Sequence, residues 1–190
     1  VILLFGSDFS QIEVKGNTIR CDAGASLSSA CVHAQQNGLS GMENLFGIPG
    51  TVGGALYMNA GAYGSEMKDV VISAEYIDEN CRIRSISAKD MELSYRHSVF
   101  SGTSNVITSV TMQLTEGDPA EIKARMNECM SKRSSKQPLE YPSAGSTFKR
   151  PEGSYASLLI EQCGLKGFSC GGAMVSEKHS GFVINKGGAT

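Results

Sequence analysis

Gly47-Ile-Pro-Gly50-Thr-Val-Gly53-Gly54 runs through Ala55-Leu-Tyr57 into Met58-Asn59-Ala60-Gly61-Ala-Tyr63-Gly64. Glycine at this density, beside small Ala and Thr, marks backbone that turns sharply or approaches something closely. No Lys-Ser/Thr follows, so the run is not a P-loop, and the dinucleotide fingerprint G-x-G-x-x-G occurs nowhere in the chain. Two readings remain. Several backbone N–H groups could converge on an anion such as a pyrophosphate, or the glycines are tight turns that pack helix against sheet. Composition alone favours the turns.

The flanking segments set the fold class. Upstream, residues 12–14 and 18–21 flank Lys15-Gly16-Asn17, a hairpin signal. Ser26 then caps a helix whose Leu27, Ala30, Cys31 and Ala34 keep one face, with Gly38 as its stop. Downstream, residues 70–77 and 81–86 are rich in β-branched side chains around Asp78-Glu79-Asn80, a second hairpin, and residues 106–114 alternate as a strand. Asp118-Pro119-Ala120-Glu121 is a helix start with an N-cap, Pro at the first position and Glu placed for a capping box. Ile122, Met126, Cys129 and Met130 follow as its apolar stripe. Ser154 opens a last helix carrying Tyr155, Leu158, Leu159, Gln162 and Cys163, closed by Gly164. Strands joined by short turns, with helices between, predict an α+β fold. The polar helix after residue 117 is the natural domain boundary.

Composition bounds the function. With 17 Lys+Arg against 19 Asp+Glu the net charge is -2, which argues against an electrostatically driven nucleic-acid binder. At 41% hydrophobic the chain can bury a core, yet its longest apolar runs, such as 1–5, where the chain begins inside a strand pattern, are too short to span a bilayer. No secretory leader is visible. Of 22 glycines, eight fall within 38–64 and seven within 164–188, whereas Pro numbers only 5, so the glycine is clustered and not the mark of uniform disorder. The six cysteines, at 21, 31, 81, 129, 163 and 170, form no C-x-x-C pair and no zinc-finger spacing. They read as reduced thiols acting as small hydrophobes, with Cys31, Cys129 and Cys163 on helical apolar stripes. No metal site is expected.

Two further constellations carry chemistry. Ser94-Tyr95-Arg96-His97-Ser98-x-Phe100 presents Arg96, a permanent cation whose planar fork suits carboxylate or phosphate; a strand-end arginine in a surface ion pair is the plainer account. Tyr141-Pro-Ser-Ala-Gly145-Ser146-Thr-Phe148-Lys149-Arg150-Pro151 presents Ser146 on a small-residue turn before two cations. A serine without an adjacent base is a poor nucleophile, though its hydroxyl can deliver a proton, and no G-x-S-x-G elbow is present. An ordinary turn serine is the alternative.

The run Gly41-Met-Glu-Asn-Leu-Phe-Gly47 into the glycines, Asn59-Ala-Gly-Ala-Tyr-Gly64, Tyr95-Arg96-x-Ser98-x-Phe100 and Gly145-Ser146-x-Phe148-Lys149-x-Pro151, taken in order, resemble the UDP-N-acetylenolpyruvoylglucosamine reductase family. Gly171-Gly-Ala-Met-Val-Ser-Glu-Lys-His179-Ser-Gly-Phe-Val-Ile-Asn185 resembles it too, so the likeness covers nearly the whole chain from Ile12. The short span from Phe100 to Val106, and Arg150 in place of Asn, resemble the subclass lacking an extra substrate-capping loop. The resemblance implies an FAD-binding region over 1–117, of the vanillyl-alcohol-oxidase (PCMH) type with a mixed or antiparallel sheet and flanking helices. A smaller α+β substrate-binding domain over 118–190 follows from it as well.

It further implies bound FAD, NADPH as hydride donor, and reduction of the enolpyruvyl ether of UDP-N-acetylglucosamine to UDP-N-acetylmuramate for peptidoglycan synthesis. The implied setting is a cytoplasmic monomer with no nucleic-acid or membrane partner. Gly47, Ile48, Pro49, Gly50, Thr51, Val52, Gly53, Gly54, Asn59, Ala60, Gly61, Tyr63 and Gly64 would hold the cofactor. Arg96 would hold the substrate carboxylate and stabilise developing charge, Ser146 would donate the proton, and Tyr95, Lys136, Lys149 and Arg150 would bind substrate. Against the family pattern, a glycine-rich FAD loop near Ser7 is missing, and the third catalytic residue, a Glu, is expected downstream of Thr190. The residues themselves leave two alternatives open: another FAD oxidoreductase of the same fold, or a non-catalytic nucleotide-binding module.

Overall fold

Lys15-Gly16-Asn17 reverses the chain as predicted, with Gly16 at φ 56°, and pairs β1 (Ile12–Lys15) antiparallel with β2 (Thr18–Asp22). The computed structural model describes residues 5–190, so the strand pattern at the start lies, for residues 1–4, outside the described residues. Ser26 caps α1 (Leu27–Gln36), its Oγ accepting from the Ser29 N–H at 3.4 Å. Then come β3 (Leu39–Ser40), α2 (Val52–Tyr57), the hairpin β4 (Gly61–Ala62) and β5 (Ser65–Glu66), and the hairpin β6 (Val71–Ile77) and β7 (Ile83–Ser87). β8 (Val106–Gln113) and β9 (Thr115–Glu116) lead into α3 (Pro119–Lys136). The chain ends with β10 (Ser143–Ser146), α4 (Ala156–Gln162), β11 (Ser169–Cys170), β12 (Ala173–Val175) and β13 (Phe182–Asn185).

Two compact units emerge, Val1–Cys129 and Met130–Thr190. In the first, a five-stranded sheet has the order β1-β2-β8-β6-β7 with every pairing antiparallel. The two hairpins are local, but β8 inserts between them and joins segments far apart in the chain. Ile19 and Cys21 of β2, Ala74 of β6, and Val110 and Met112 of β8 are buried with Leu27, Ala30 and Cys31 of α1 and Val52, Ala55 and Leu56 of α2. Burying each Leu, Ile, Met or Val here contributes about 1.5–3 kcal/mol, and the sheet face so covered is the platform on which both helices are fixed.

Asp118 starts α3 as expected, its Oδ1 accepting from Ala120 N–H at 2.6 Å and Glu121 N–H at 3.4 Å. Ile122, Met126, Cys129 and Arg133 are buried at helical spacing, but Met130 is exposed, because 3.6 residues per turn rotate it to the edge of that face. The division between units falls inside α3; residue 117 lies at that helix's start. In the second unit a four-stranded antiparallel sheet has the order β10-β13-β12-β11. Tyr155, not Ser154, is the N-cap of α4, and Cys163 is its exposed C-cap and not part of a buried stripe, since α4 buries no residue. Phe182 and Ile184 of β13 are buried, with the His179 ring edge-on to Phe182 at 4.9 Å.

Candidate functional site

The glycine-rich run is open at some glycines and closely packed at others. Leu27 N–H donates to Gly50 O at 3.1 Å and Val52 N–H to Ala25 O at 2.8 Å, flanking the opposed pair Ser26 and Thr51. In such a non-hydrogen-bonded pair the amides point away from each other, so the N–H groups of Ser26 and Thr51, both exposed, face outward. Gly50 stands beside them at φ 129°, and a Cβ there would meet nothing within 4 Å. This open, polar backbone fits an anion such as a pyrophosphate. Gly53 differs in its surroundings. Its N–H donates to Ala23 O at 2.9 Å, and a Cβ would come within 2.6 Å of Ala23 Cβ, so this glycine packs α2 closely on the loop after β2. Val52 is likewise spent on the core. Gly47, Ile48, Pro49, Thr51 and Gly54 keep partial or full exposure. The Gly54 N–H donates to Thr51 Oγ1 at 3.3 Å, which caps α2.

Just past α2 the chain meets Arg96. Ser94 and His97 exchange backbone hydrogen bonds at 3.2 and 3.1 Å, leaving Tyr95-Arg96 at the tip of a two-residue turn with Arg96 at φ 53°. A non-glycine residue held there costs about 1–3 kcal/mol unless its surroundings over-determine it. They do: the Arg96 guanidinium donates to Gly61 O at 3.0 Å and Asn59 O at 3.5 Å and lies 5.1 Å from the Tyr95 ring centre. Below the turn, buried Ser98 donates its hydroxyl to Tyr57 O at 2.7 Å, and buried Phe100 packs edge-on against Tyr76. The motif therefore has an anchored half, Ser98 and Phe100, and a presented half, Tyr95 and Arg96. Among the described residues, three of the five non-glycine residues with positive φ, Asn59, Tyr63 and Arg96, belong to this region.

Asn59 lies beneath this turn. It is fully buried, with Nδ2 donating to Glu66 Oε2 and to Ser94 O, each at 3.0 Å, and Oδ1 accepting from Lys68 N–H at 2.9 Å, so its side chain is spent on the protein. Ala60 and Gly61 are part-exposed beside it, and Tyr63 and Gly64 are exposed on the β4–β5 turn. Glu66 and Lys68 escaped sequence reasoning, and Ser94 and Asn44 stood inside quoted motifs without a role of their own. Asn44 donates to Ser65 Oγ at 2.9 Å and holds the same hairpin. A Glu two residues before a Lys carries no motif, and only the fold shows that Glu66 meets Asn59. The hydrogen bond and ion pair from Lys68 at 2.8 Å, helped by Asn59 and the Arg96 charge, hold the Glu66 carboxyl below its usual range.

The second unit presents Ser146 differently from the predicted turn. It is the exposed last residue of β10, opposite Phe182, after a register shift in which Gly145 adopts φ 84°. Thr147 N–H donates to Gly181 O at 2.9 Å and keeps this strand end in register. Lys149 and Arg150 are exposed just beyond, with the Arg150 guanidinium 4.4 Å from the Tyr155 ring centre, and Lys136 is exposed at the end of α3. Arg96 belongs to the first unit and Ser146 to the second. Of the thiols, Cys21, Cys31 and Cys129 are buried, and burial pushes Cys21 and Cys31 up to about 12, so neither is nucleophilic at neutral pH. Among the described residues no helix is long and apolar enough to cross a membrane.

The chain is similar to known proteins along its length. Residues 2–87 match a family described as FAD binding domain, and residues 137–190 match UDP-N-acetylenolpyruvoylglucosamine reductase, C-terminal domain. A UDP-N-acetylenolpyruvoylglucosamine reductase of Clostridium perfringens is 51% identical over 190 residues, which is 100% of this chain and 62% of that protein. One from Caldanaerobacter subterraneus is 53% identical over 97% of this chain and 61% of its own length. The crystal structure of the reductase from Thermus caldophilus superposes with a TM-score of 0.86 at 35% identity, covering 97% of this chain and 66% of that one. The chain thus spans about three fifths of the length of the curated relatives it matches. The identities of 51% and 53% along this chain, the matched C-terminal domain and the superposition together show that the chain belongs to the UDP-N-acetylenolpyruvoylglucosamine reductase family.

Proposed function

We propose that the protein of this chain is an FAD-dependent, NADPH-consuming reductase of the enolpyruvyl ether of UDP-N-acetylglucosamine, yielding UDP-N-acetylmuramate for peptidoglycan synthesis. The observation that carries this reading is Arg96, held at φ 53° with its guanidinium on the carbonyls of Asn59 and Gly61. A cation fixed at that cost, within the glycine-rich half of the chain, suits an anionic substrate next to a nucleotide cofactor. FAD, when bound, supplies hydride transfer from NADPH to the terminal enolpyruvyl carbon. The outward amides of Ser26 and Thr51 and the open backbone at Gly50 are the groups here that would hold its pyrophosphate.

The chain's own residues do the rest. Hydride addition leaves negative charge spread from the neighbouring carbon into the carboxylate, and the Arg96 fork both holds that carboxylate and stabilises the charge as it grows. Ser146 Oγ delivers the proton to the carbon bearing the carboxylate; the exposed end of β10 leaves the hydroxyl accessible. Lys136, Lys149 and Arg150 are cations for the UDP diphosphate, and Tyr95 lines the site beside Arg96. Both NADPH and a nucleotide sugar are cytoplasmic metabolites, which supports a cytoplasmic setting, and we take the enzyme to act as a monomer.

The test is the flavin-loaded full-length protein mixed first with NADPH and then with the enolpyruvyl substrate. Flavin absorbance separates the two half-reactions. Ser146→Ala should slow the second by roughly 10²-fold, the usual scale for general acid catalysis, and barely touch the first; Ser146→Cys should recover part of the rate. Absence of flavin would overturn the enzyme reading in favour of a nucleotide-binding module. NADPH consumption indifferent to the enolpyruvyl substrate would mean another substrate, and equal slowing of both half-reactions would remove Ser146 as the proton donor.

A further inference from the structure

The Arg96 guanidinium rests on two carbonyl oxygens, and one buried side chain lies between them and the turn that carries Arg96. Asn59 O takes the guanidinium at 3.5 Å and Gly61 O takes it at 3.0 Å, two residues further along. Main-chain bonds hold that stretch locally, Asn59 N–H to Leu56 O at 3.0 Å and Ala60 N–H to Ala55 O at 2.7 Å, and the Asn59 amide ties it to what lies around it. Its Oδ1 accepts from Lys68 N–H at 2.9 Å, after the β4–β5 hairpin, and its Nδ2 donates both to Glu66 on β5 and to Ser94 O. Ser94 is also the residue whose backbone closes the turn carrying Arg96. One side chain therefore ties the segment that receives the guanidinium to the turn that sends it.

We propose that Asn59 is a positioning residue for Arg96, with Glu66 as the acceptor that fixes which way its amide points. The chemistry of the position allows little else. It needs one acceptor and two donors on a short planar group, in a residue that tolerates the left-handed region; Asn59 sits at φ 40°. Asp has no donor for Glu66 or Ser94 O, Leu has neither donor nor acceptor, and Gln is one methylene too long for a site with no exposed surface. Glu66 is ionised, its carboxyl held down first by the Lys68 hydrogen bond and then by Asn59 and the Arg96 charge, so it can only accept. That leaves Asn59 a single orientation, Nδ2 to Glu66 and Oδ1 to the Lys68 amide.

The kinetic arm rests on the function proposed above; a spectroscopic arm does not. In the flavin-loaded full-length protein, Asn59→Asp should lower kcat/KM for the enolpyruvyl substrate by about 10- to 100-fold, the scale of a misplaced catalytic group. KM should carry part of the loss, because Arg96 holds the substrate carboxylate. In an Arg96→Ala background the same substitution should cost nothing further, since its effect passes through the missing guanidinium. In 15N-labelled protein without substrate, solvent exchange of the Arg96 guanidinium protons should quicken by roughly 10-fold in Asn59→Asp, the scale of one or two lost hydrogen bonds. If Asn59→Asp does not fold, Glu66→Ala, on a part-exposed side chain, frees the amide to turn and should give the same pattern at several-fold. Additive losses in the double variant, or unchanged Arg96 exchange in a folded variant, overturn the proposal. Faster Arg96 exchange in a protein that does not turn over the enolpyruvyl substrate upholds the positioning role and sinks only the substrate assignment.

Discussion

A methyl group at position 53 would sit 2.6 Å from Ala23 Cβ and 3.1 Å from its carbonyl oxygen, whereas one at position 50 would touch nothing within 4 Å. Gly53→Ala should therefore push α2 off the loop after β2 and destabilise the fold by about 1–3 kcal/mol, the usual penalty of an overpacked contact. Urea unfolding reads this directly as a lower midpoint at unchanged slope. A Gly53→Ala protein as stable as the parent would mean that α2 can shift freely and that this glycine is not there for packing. The density of glycine in 47–54 was plain in the sequence, and so was the choice between anion cradle and packing. Which glycine is closely packed was not, because the partner of Gly53 is Ala23, thirty residues upstream and unremarkable by type. Arg96 shows the same limit: its residue type pointed to an anion, but its left-handed φ depends on carbonyls from 59 and 61.

Between elements, a cross-link in the first unit joins α3 to the loop ahead of the glycine run. Glu43 is buried, and its carboxylate accepts from Ser40 Oγ at 2.7 Å, Gly41 N–H at 2.8 Å and the Arg125 guanidinium at 2.6 Å. Burial alone would raise its pKa; the hydrogen bonds from Arg125, Ser40 and Gly41 outweigh that and hold the carboxyl below its ordinary value of 4.5. A group with a depressed folded pKa stabilises the fold above the unfolded value, and that contribution fades as pH falls through the folded one. Glu43→Gln should cost about 1–3 kcal/mol at pH 7, where it weakens the bonds to Arg125, and the gap from the parent should close at pH below 4.5. Thermal unfolding of both proteins across that range checks it; a gap that persists in acid would mean that the charge of Glu43 is not what clamps α3. Periodicity revealed the hairpins, α1 and α3 with their buried faces, because each rests on contacts within a dozen residues. The order β1-β2-β8-β6-β7 was out of reach: nothing in the alternation of 106–114 says that this strand lies between two hairpins.

At the scale of the molecule the two units differ in how much they bury. Most of the buried apolar side chains lie in Val1–Cys129, drawn from β2, β6, β8 and three helices. In the second unit, among the described residues, Phe182 and Ile184 are the buried apolar side chains, while Phe148, Tyr155, Leu158, Leu159, Leu165 and Phe168 are each more than 40% exposed. Local opening free energy follows buried apolar contact, so the units should open at different costs. In the 190-residue chain, amides of β12 and β13 should exchange with solvent through sub-global opening, faster than those of β2, β6 and β8, which are released only when the whole first unit unfolds. Hydrogen exchange read by mass spectrometry over a denaturant series separates the two classes, since sub-global opening depends weakly on denaturant and global opening steeply. Ser146 is paired to β13 through Phe182, so the strand end that presents the proposed proton donor belongs to the easily opened class. Uniform protection across both sheets would show that Phe182 and Ile184 suffice to bind the second sheet into one cooperative unit with the first, and the argument from burial would fail.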